Sequence, residues 1–108
     1  MTVKQLTESL KLNEFVISDP DREITGGYAG DLLSWVMGRA SEGDAWVTIM
    51  TNINVIAVAS LADTACVILA EGVTPDEEMQ NVASAKCINL LGSEESTFTL
   101  CSKIGALI

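Results

Sequence analysis

The apolar run Cys66-Val67-Ile68-Leu69-Ala70 follows Asp63-Thr64-Ala65 and is closed by the turn-prone pair Glu71-Gly72. A strand with one wet face alternates apolar and polar side chains. A strand without alternation is covered on both faces, which points to a parallel sheet between helices. The rest of the chain can be arranged around that strand. Glu14 to Ser18, Ala45 to Thr51 and Ile88 to Leu91 are short runs of strand-forming residues. Helical spacing fills the intervals. Thr2 to Leu10 places Val3, Leu6 and Leu10 on one side, and Asp31 to Arg39 places Leu32, Leu33, Val36 and Ala40 on one face, with Asp31 at the positive end of the dipole. A helix of roughly Val55 to Asp63 is capped by Asn52 or Asn54. Thr74-Pro75-Asp76-Glu77 reads as a capping box opening a helix to about Lys86. Ser93 is the expected cap of a last helix carrying Phe98, Leu100, Cys101, Ile104 and Leu107. The stretch Asp19 to Gly30, with Pro20, Gly26, Gly27 and Gly30, reads as a loop. Strands alternating with helices predict the α/β class: a three-layer α/β/α sandwich with a mostly parallel sheet of about four or five strands, in a single domain spanning residues 1–108.

Charge narrows the function classes. Fifteen acidic residues face six basic ones, a formal net charge of -9. Nucleic-acid binders neutralise phosphates with Lys and Arg, and anionic membranes attract the same residues, so both partners are disfavoured. There is no histidine, which removes imidazole acid–base chemistry, His-paired nucleophiles and imidazole metal sites. No metal or cofactor is implied. Cys66, Cys87 and Cys101 are odd in number and lack metal-ligand or redox spacing; they read as three small buried thiols in a reducing cytosol. Met1 to Leu10 carries Lys4 and Glu8 and does not read as a signal peptide. The longest apolar stretch, Ile53 to Ala70, is broken by Ser60, Asp63 and Thr64, so it does not read as a membrane span. The expected location is the cytoplasm. No G-x-x-x-x-G-K-[ST] phosphate loop is present.

Ligands of open parallel sheets bind outside the carboxyl ends of the strands. Those ends are read as Asp19 to Gly30, Thr51 to Asn54, Glu71 to Thr74 and Gly92-Ser93, expected to converge on one rim. The candidate ligand-binding residues are therefore Asp21, Arg22, Thr25, Gly26, Gly27, Tyr28, Thr51, Asn52, Asn54, Glu71 and Gly72. Gly26-Gly27 would let backbone N–H groups form an anion nest, with Arg22 complementing the charge. An equal alternative is a tight turn needing positive φ, with Arg22 paired to Asp19, Asp21 or Glu23. Asn52 and Asn54 fit helix caps better than ligand contacts. Asp31 and Asp63 fit caps and solvated faces better than an acid–base pair. Trp46 is expected in the core, and Trp35 is a candidate anchor for a subunit contact.

Asp21-Arg22, Thr25-Gly26-Gly27-Tyr28 and Gly30-Asp31-Leu32-Leu33-Ser34 resemble the signature of the DRTGG domain family, with Glu23 and Ile24 lying between the naming residues. The resemblance continues through Ala45 to Thr51, Asn54 to Ala59 and Ile68 to Gly72, and spans about Lys11 to Ile104. It implies an α/β/α domain similar to the N-terminal domain of bacterial HPr kinase/phosphorylase. Relatives occur between CBS domains of regulated pyrophosphatases and at the front of some phosphotransacetylases. Small stand-alone members accompany iron-only hydrogenase and NADH-dehydrogenase-like subunits in anaerobic bacteria. The resemblance implies a regulatory or associative role. The phosphate loop of the kinase belongs to a catalytic domain that these residues do not include.

The expectation is thus a non-catalytic regulatory or assembly module, a homodimer linked to anaerobic redox or carbon metabolism, with redox-enzyme subunits as partners. The alternative is a sensor of a small anion or adenine nucleotide. A phosphotransferase or hydrolase using Asp21, Glu71 or Asp31 ranks third.

Overall fold

A computed structural model describes all 108 residues. The apolar run forms strand β4 (Cys66–Leu69), which lies at the centre of a five-stranded sheet. Strands β3 (Asp44–Thr48) and β5 (Leu90–Gly92) flank it, both parallel to it. Strand β2 (Gly26–Ala29) runs parallel to β3 at one edge, and β1 (Asn13–Val16) runs antiparallel to β5 at the other, giving the order β1-β5-β4-β3-β2. The helices are α1 (Val3–Leu10), α2 (Leu33–Arg39), α3 (Ile53–Ala62), α4 (Glu77–Ala85) and α5 (Thr97–Leu107).

Side chains alternate across a pleated strand, so each central strand supplies two cores. Cys66 and Ile68 of β4, with Ala45 and Val47 of β3, pack against Val3 and Leu6 of α1 and Leu100 and Ile104 of α5. Val67 and Leu69, with Trp46, pack against Val36 of α2, Val55, Ile56 and Ala59 of α3, and Met79 and Ala83 of α4. Two helices on one face and three on the other make the three-layer α/β/α sandwich. Trp46 is fully buried, as expected, and its indole N–H donates to the Gly30 carbonyl at 2.9 Å.

Several local expectations are corrected. The loop read over Asp19 to Gly30 contains strand β2. Gly-Gly-Tyr-Ala has little strand preference of its own, and its extended form is imposed by the ladder to Asp44–Val47. Strand β3 ends at Thr48, short of the Thr51 expected. Helix α2 starts at Leu33, and its cap residue Leu32 offers no side-chain oxygen. The Asp31 carboxylate turns to the end of β3, accepting from Thr48 Oγ1 at 2.7 Å and Ile49 N at 3.0 Å. Asp76, not Thr74, caps α4 by accepting from Met79 N at 2.8 Å. Ser96, not Ser93, caps α5, while the Ser93 hydroxyl accepts from Glu95 N. Leu32 and Phe98 lie at the surface instead of on apolar helix faces. Of the thiols only Cys66 is buried, Cys101 is half-buried and Cys87 is exposed.

Burial pushes the Cys66 thiol from 9.0 up to about 12. An acid whose folded pKa is raised contributes stability that is complete below the unfolded value and lost as pH rises through the folded one. Unfolding stability measured by urea titration should therefore carry no Cys66 contribution to its pH dependence below pH 9 and fall between 9.0 and about 12; Cys66→Ala should remove that part of the slope. Ile68 is fully buried on the central strand. Ile68→Ala should cost about 2–5 kcal/mol in the same titration.

Candidate functional site

The segment from Ile17 to Thr25 joins β1 to β2. Because β1 is antiparallel, Val16 lies opposite Leu90 at the start of β5, so this segment sits at the amino ends of the parallel strands. Asn89, 2% exposed, holds it there. Its Oδ1 accepts from Ser18 N and Asp19 N, both at 2.9 Å, and its Nδ2 donates to the carbonyls of Asp19 at 2.8 Å and Ala65 at 3.0 Å. The sequence reading overlooked Asn89. A lone Asn beside an apolar run carries little signal, and its buried position between a loop and a strand start arises only on folding.

Arg22 pairs with neither Asp19, Asp21 nor Glu23. Its Nη1 donates to Asp63 Oδ1 at 3.0 Å and its Nη2 to the Asp63 carbonyl at 2.9 Å. Asp63 ends α3 in a left-handed conformation, so the guanidinium satisfies both a carboxylate and a helix-terminal carbonyl. Main-chain bonds from Val3, Lys4 and Ile24 to Arg22, Pro20 and Met1 fasten the segment to the start of the chain. Asp21 is exposed at its turn.

Thr25 Oγ1 donates to the Glu42 carbonyl at 3.2 Å and covers Gly43, whose φ is 84°. A Cβ on Gly43 would lie 2.2 Å from that oxygen. Gly26 and Gly27 have ordinary extended backbones, and the glycines with positive φ are Gly43 and Gly72. The pair therefore makes neither an anion nest nor a left-handed turn. Gly26 serves close packing, because a Cβ there would lie 2.8 Å from Asp44 Oδ1.

Thr51, Asn52, Asn54, Glu71 and Gly72 lie at the opposite, carboxyl end. Asn52 caps α3 by accepting from Asn54 N at 2.9 Å, and Asn54 is exposed. Glu71 N and Gly72 N donate to the carbonyls of Glu95 and Ser93 at 2.8 and 2.9 Å. Glu71 Oε2 accepts from Thr97 N at 2.9 Å, in the first turn of α5. The expected single rim is thus divided. Asp21, Arg22, Thr25 and Gly26 are at one end of the sheet, Thr51, Asn52, Asn54, Glu71 and Gly72 at the other, and Gly27 and Tyr28 lie between them along β2. A strand length, about 13–16 Å, separates the ends.

The concave feature of the surface takes in Gly27 and Tyr28 alone of the candidate residues. A groove of about 300 Å³ runs between α5 and the β2–β3 edge, lined by Gly27, Ala29, Val47, Cys101, Ile104 and Ile108 among others. A Cβ on Gly27 would lie 3.6 Å from the Ala45 carbonyl oxygen and 3.9 Å from Ile108 Cδ1, both ordinary contact distances, so the end of α5 packs beside this position without requiring a glycine there. Burial pushes the Cys101 thiol up, which lowers its thiolate fraction. No three Cys, Asp or Glu side chains converge as metal ligands. On the opposite face of the sheet, Trp35 is 55% exposed and carries the Arg39 guanidinium 4.0 Å from its ring centre.

The two polar anchors should differ in energetic weight. Asn89→Ala leaves buried donors and acceptors unpaired and should cost at least about 2 kcal/mol in urea unfolding. Arg22→Ala breaks a pair open to solvent and should cost within about 1 kcal/mol.

A family model described as "HPr Serine kinase N terminus" matches residues 52–108. Among solved structures, the chain is similar to the CBS and DRTGG domains of the regulatory region of Clostridium perfringens pyrophosphatase, a structure complexed with the activator diadenosine tetraphosphate. That likeness has a TM-score of 0.73 and 16% identity, covering 94% of this chain and 44% of the other. This chain therefore spans less than half of that relative. No curated protein matches the chain.

Proposed function

The chain belongs to the HPr Serine kinase N terminus family, and we propose that it acts as a non-catalytic regulatory or assembly module. One observation carries the reading: four conspicuous polar side chains at the two ends of the sheet are engaged in holding the fold. Arg22 is on Asp63, Asp31 on the end of β3, Asn52 on α3, and Glu71 on α5. What is left open is an apolar groove along one edge, the kind of surface that another chain covers. The likeness to a pyrophosphatase regulatory region supports the same reading. Subunits of hydrogenase-type redox enzymes are the partners that the family resemblance suggests.

A second reading is an adenine-nucleotide or small-anion sensor. The ligand of the pyrophosphatase regulatory region favours it, as does the part of the Arg22 guanidinium that faces solvent. The net charge of -9 opposes polyphosphate binding.

Mixing the purified chain with hydrogenase-type subunits from the same genome tests the first reading. Binding by calorimetry, or a changed turnover of the redox enzyme, is expected. Phosphoryl transfer from ATP by the chain alone, to itself or to a serine-bearing carrier protein, would overturn it. Heat on adding AMP, ADP or phosphate that Arg22→Ala abolishes would select the sensor instead.

A further inference from the structure

We propose that the free edge of β2 docks a second copy of this chain, β2 pairing antiparallel with β2 about a two-fold axis through Tyr28. The two sheets then join into one. The inference rests on the associative reading above and specifies its partner.

The two edges of the sheet are built differently. At the β1 edge, Asn13 and Glu14 are exposed and the register shifts between Glu14 and Val16. A charge and a bulge are the devices by which natural edges avoid pairing. The β2 edge has none: its register with β3 is continuous, and Gly26-Gly27-Tyr28-Ala29 contains no Lys, no Pro and no charge. Its polar groups are directional as well. The Gly30 N–H donates to the Val47 carbonyl at 3.1 Å. Bonds to one neighbour alternate along a strand, so the N–H and C=O of Gly27 and Ala29 point away from β3. Both residues are exposed. In antiparallel pairing about Tyr28, Gly27 faces Ala29 of the second copy, and each pair exchanges two hydrogen bonds. The edge is therefore self-complementary, as a two-fold interface must be.

Charge says which strand this edge accepts. The chain is strongly acidic, and two copies can approach without repulsion only where acidic side chains are absent. Residues 24–30 and 104–108, which supply the edge and the groove beside it, carry no charged side chain. A basic strand from another protein would find no carboxylate there to pair with. Pairing also covers apolar surface, because Gly27 and Ala29 line the groove and Ile108, 44% exposed, closes it.

Light scattering after size exclusion should give twice the monomer mass. Ala29→Pro removes an outward N–H that the monomer does not use and keeps the extended backbone before it. It deletes two of four intermolecular bonds and should weaken association by at least about tenfold. In a Cys87→Ser background, Tyr28→Cys should form a disulfide-linked dimer under mild oxidation, because residues directly opposite on the axis bring their Cβ atoms within about 5 Å, and Trp35→Cys should not. A monomeric wild type would overturn the proposal. So would a dimer that Ala29→Pro leaves intact, or one that Trp35→Glu dissolves while Ala29→Pro does not. If circular dichroism shows that Ala29→Pro fails to fold, the Tyr28→Cys cross-link decides alone. A monomer that still binds redox subunits refutes only the edge pairing; a dimer that binds none refutes only the regulatory reading.

Discussion

Burial of β3, β4 and β5 on both faces is the constraint on which the rest of the structure depends. Ala45, Val47, Cys66 and Ile68 require one helical layer, and Trp46, Val67 and Leu69 require another. Hydrophobic burial is roughly proportional to area and has no direction, so it sets where the helices must lie but not how they end or join. The polar side chains set those details. Asp76, Ser96 and Asn52 cap helices, Asp31 closes β3, and Glu71 ties the β4 exit to the start of α5. Buried main-chain groups must be satisfied, and this chain spends most of its conspicuous polar residues on that requirement.

The same demand explains why the glycine-rich segment is not a phosphate cradle. An anion nest needs alternating handedness and free N–H groups. Gly26 and Gly27 are extended, and they lie in a ladder that starts beside Asp44, a carboxylate. The smallness of Gly26 serves a packing task, admitting the Asp44 carboxylate beside it. Gly26 and Gly27, weighed equally as an anion nest or a tight turn, are strand residues, and with Tyr28 and Ala29 they leave an uncharged edge next to an apolar groove.

The division of the expected rim has a single topological cause. The sequence reading expected a mostly parallel sheet and placed the loops after all four strands on one rim, which requires each of those strands to run the same way. β1 runs the other way, and so the segment after it, with Asp21, Arg22 and Thr25, returns to the amino ends. Nothing local in Asn13–Val16 specifies direction; the pairing with β5 does, and Asn89 locks the segment that follows. Arg22 shows the same limit. Three acidic residues lie within three positions of it in the chain, yet its partner Asp63 lies 41 residues away.

From the sequence alone came the class of fold, the five helices, the four more apolar strands, the buried Trp46 and the absence of imidazole chemistry. These follow from periodicity and composition, which are local and additive. Tertiary structure alone decided the fifth strand, the direction of β1, the partner of Arg22, the role of Asn89 and the groove under α5. Those depend on which backbone groups meet across long separations, and a ladder can hold Gly-Gly-Tyr-Ala extended when its own residues do not prefer it.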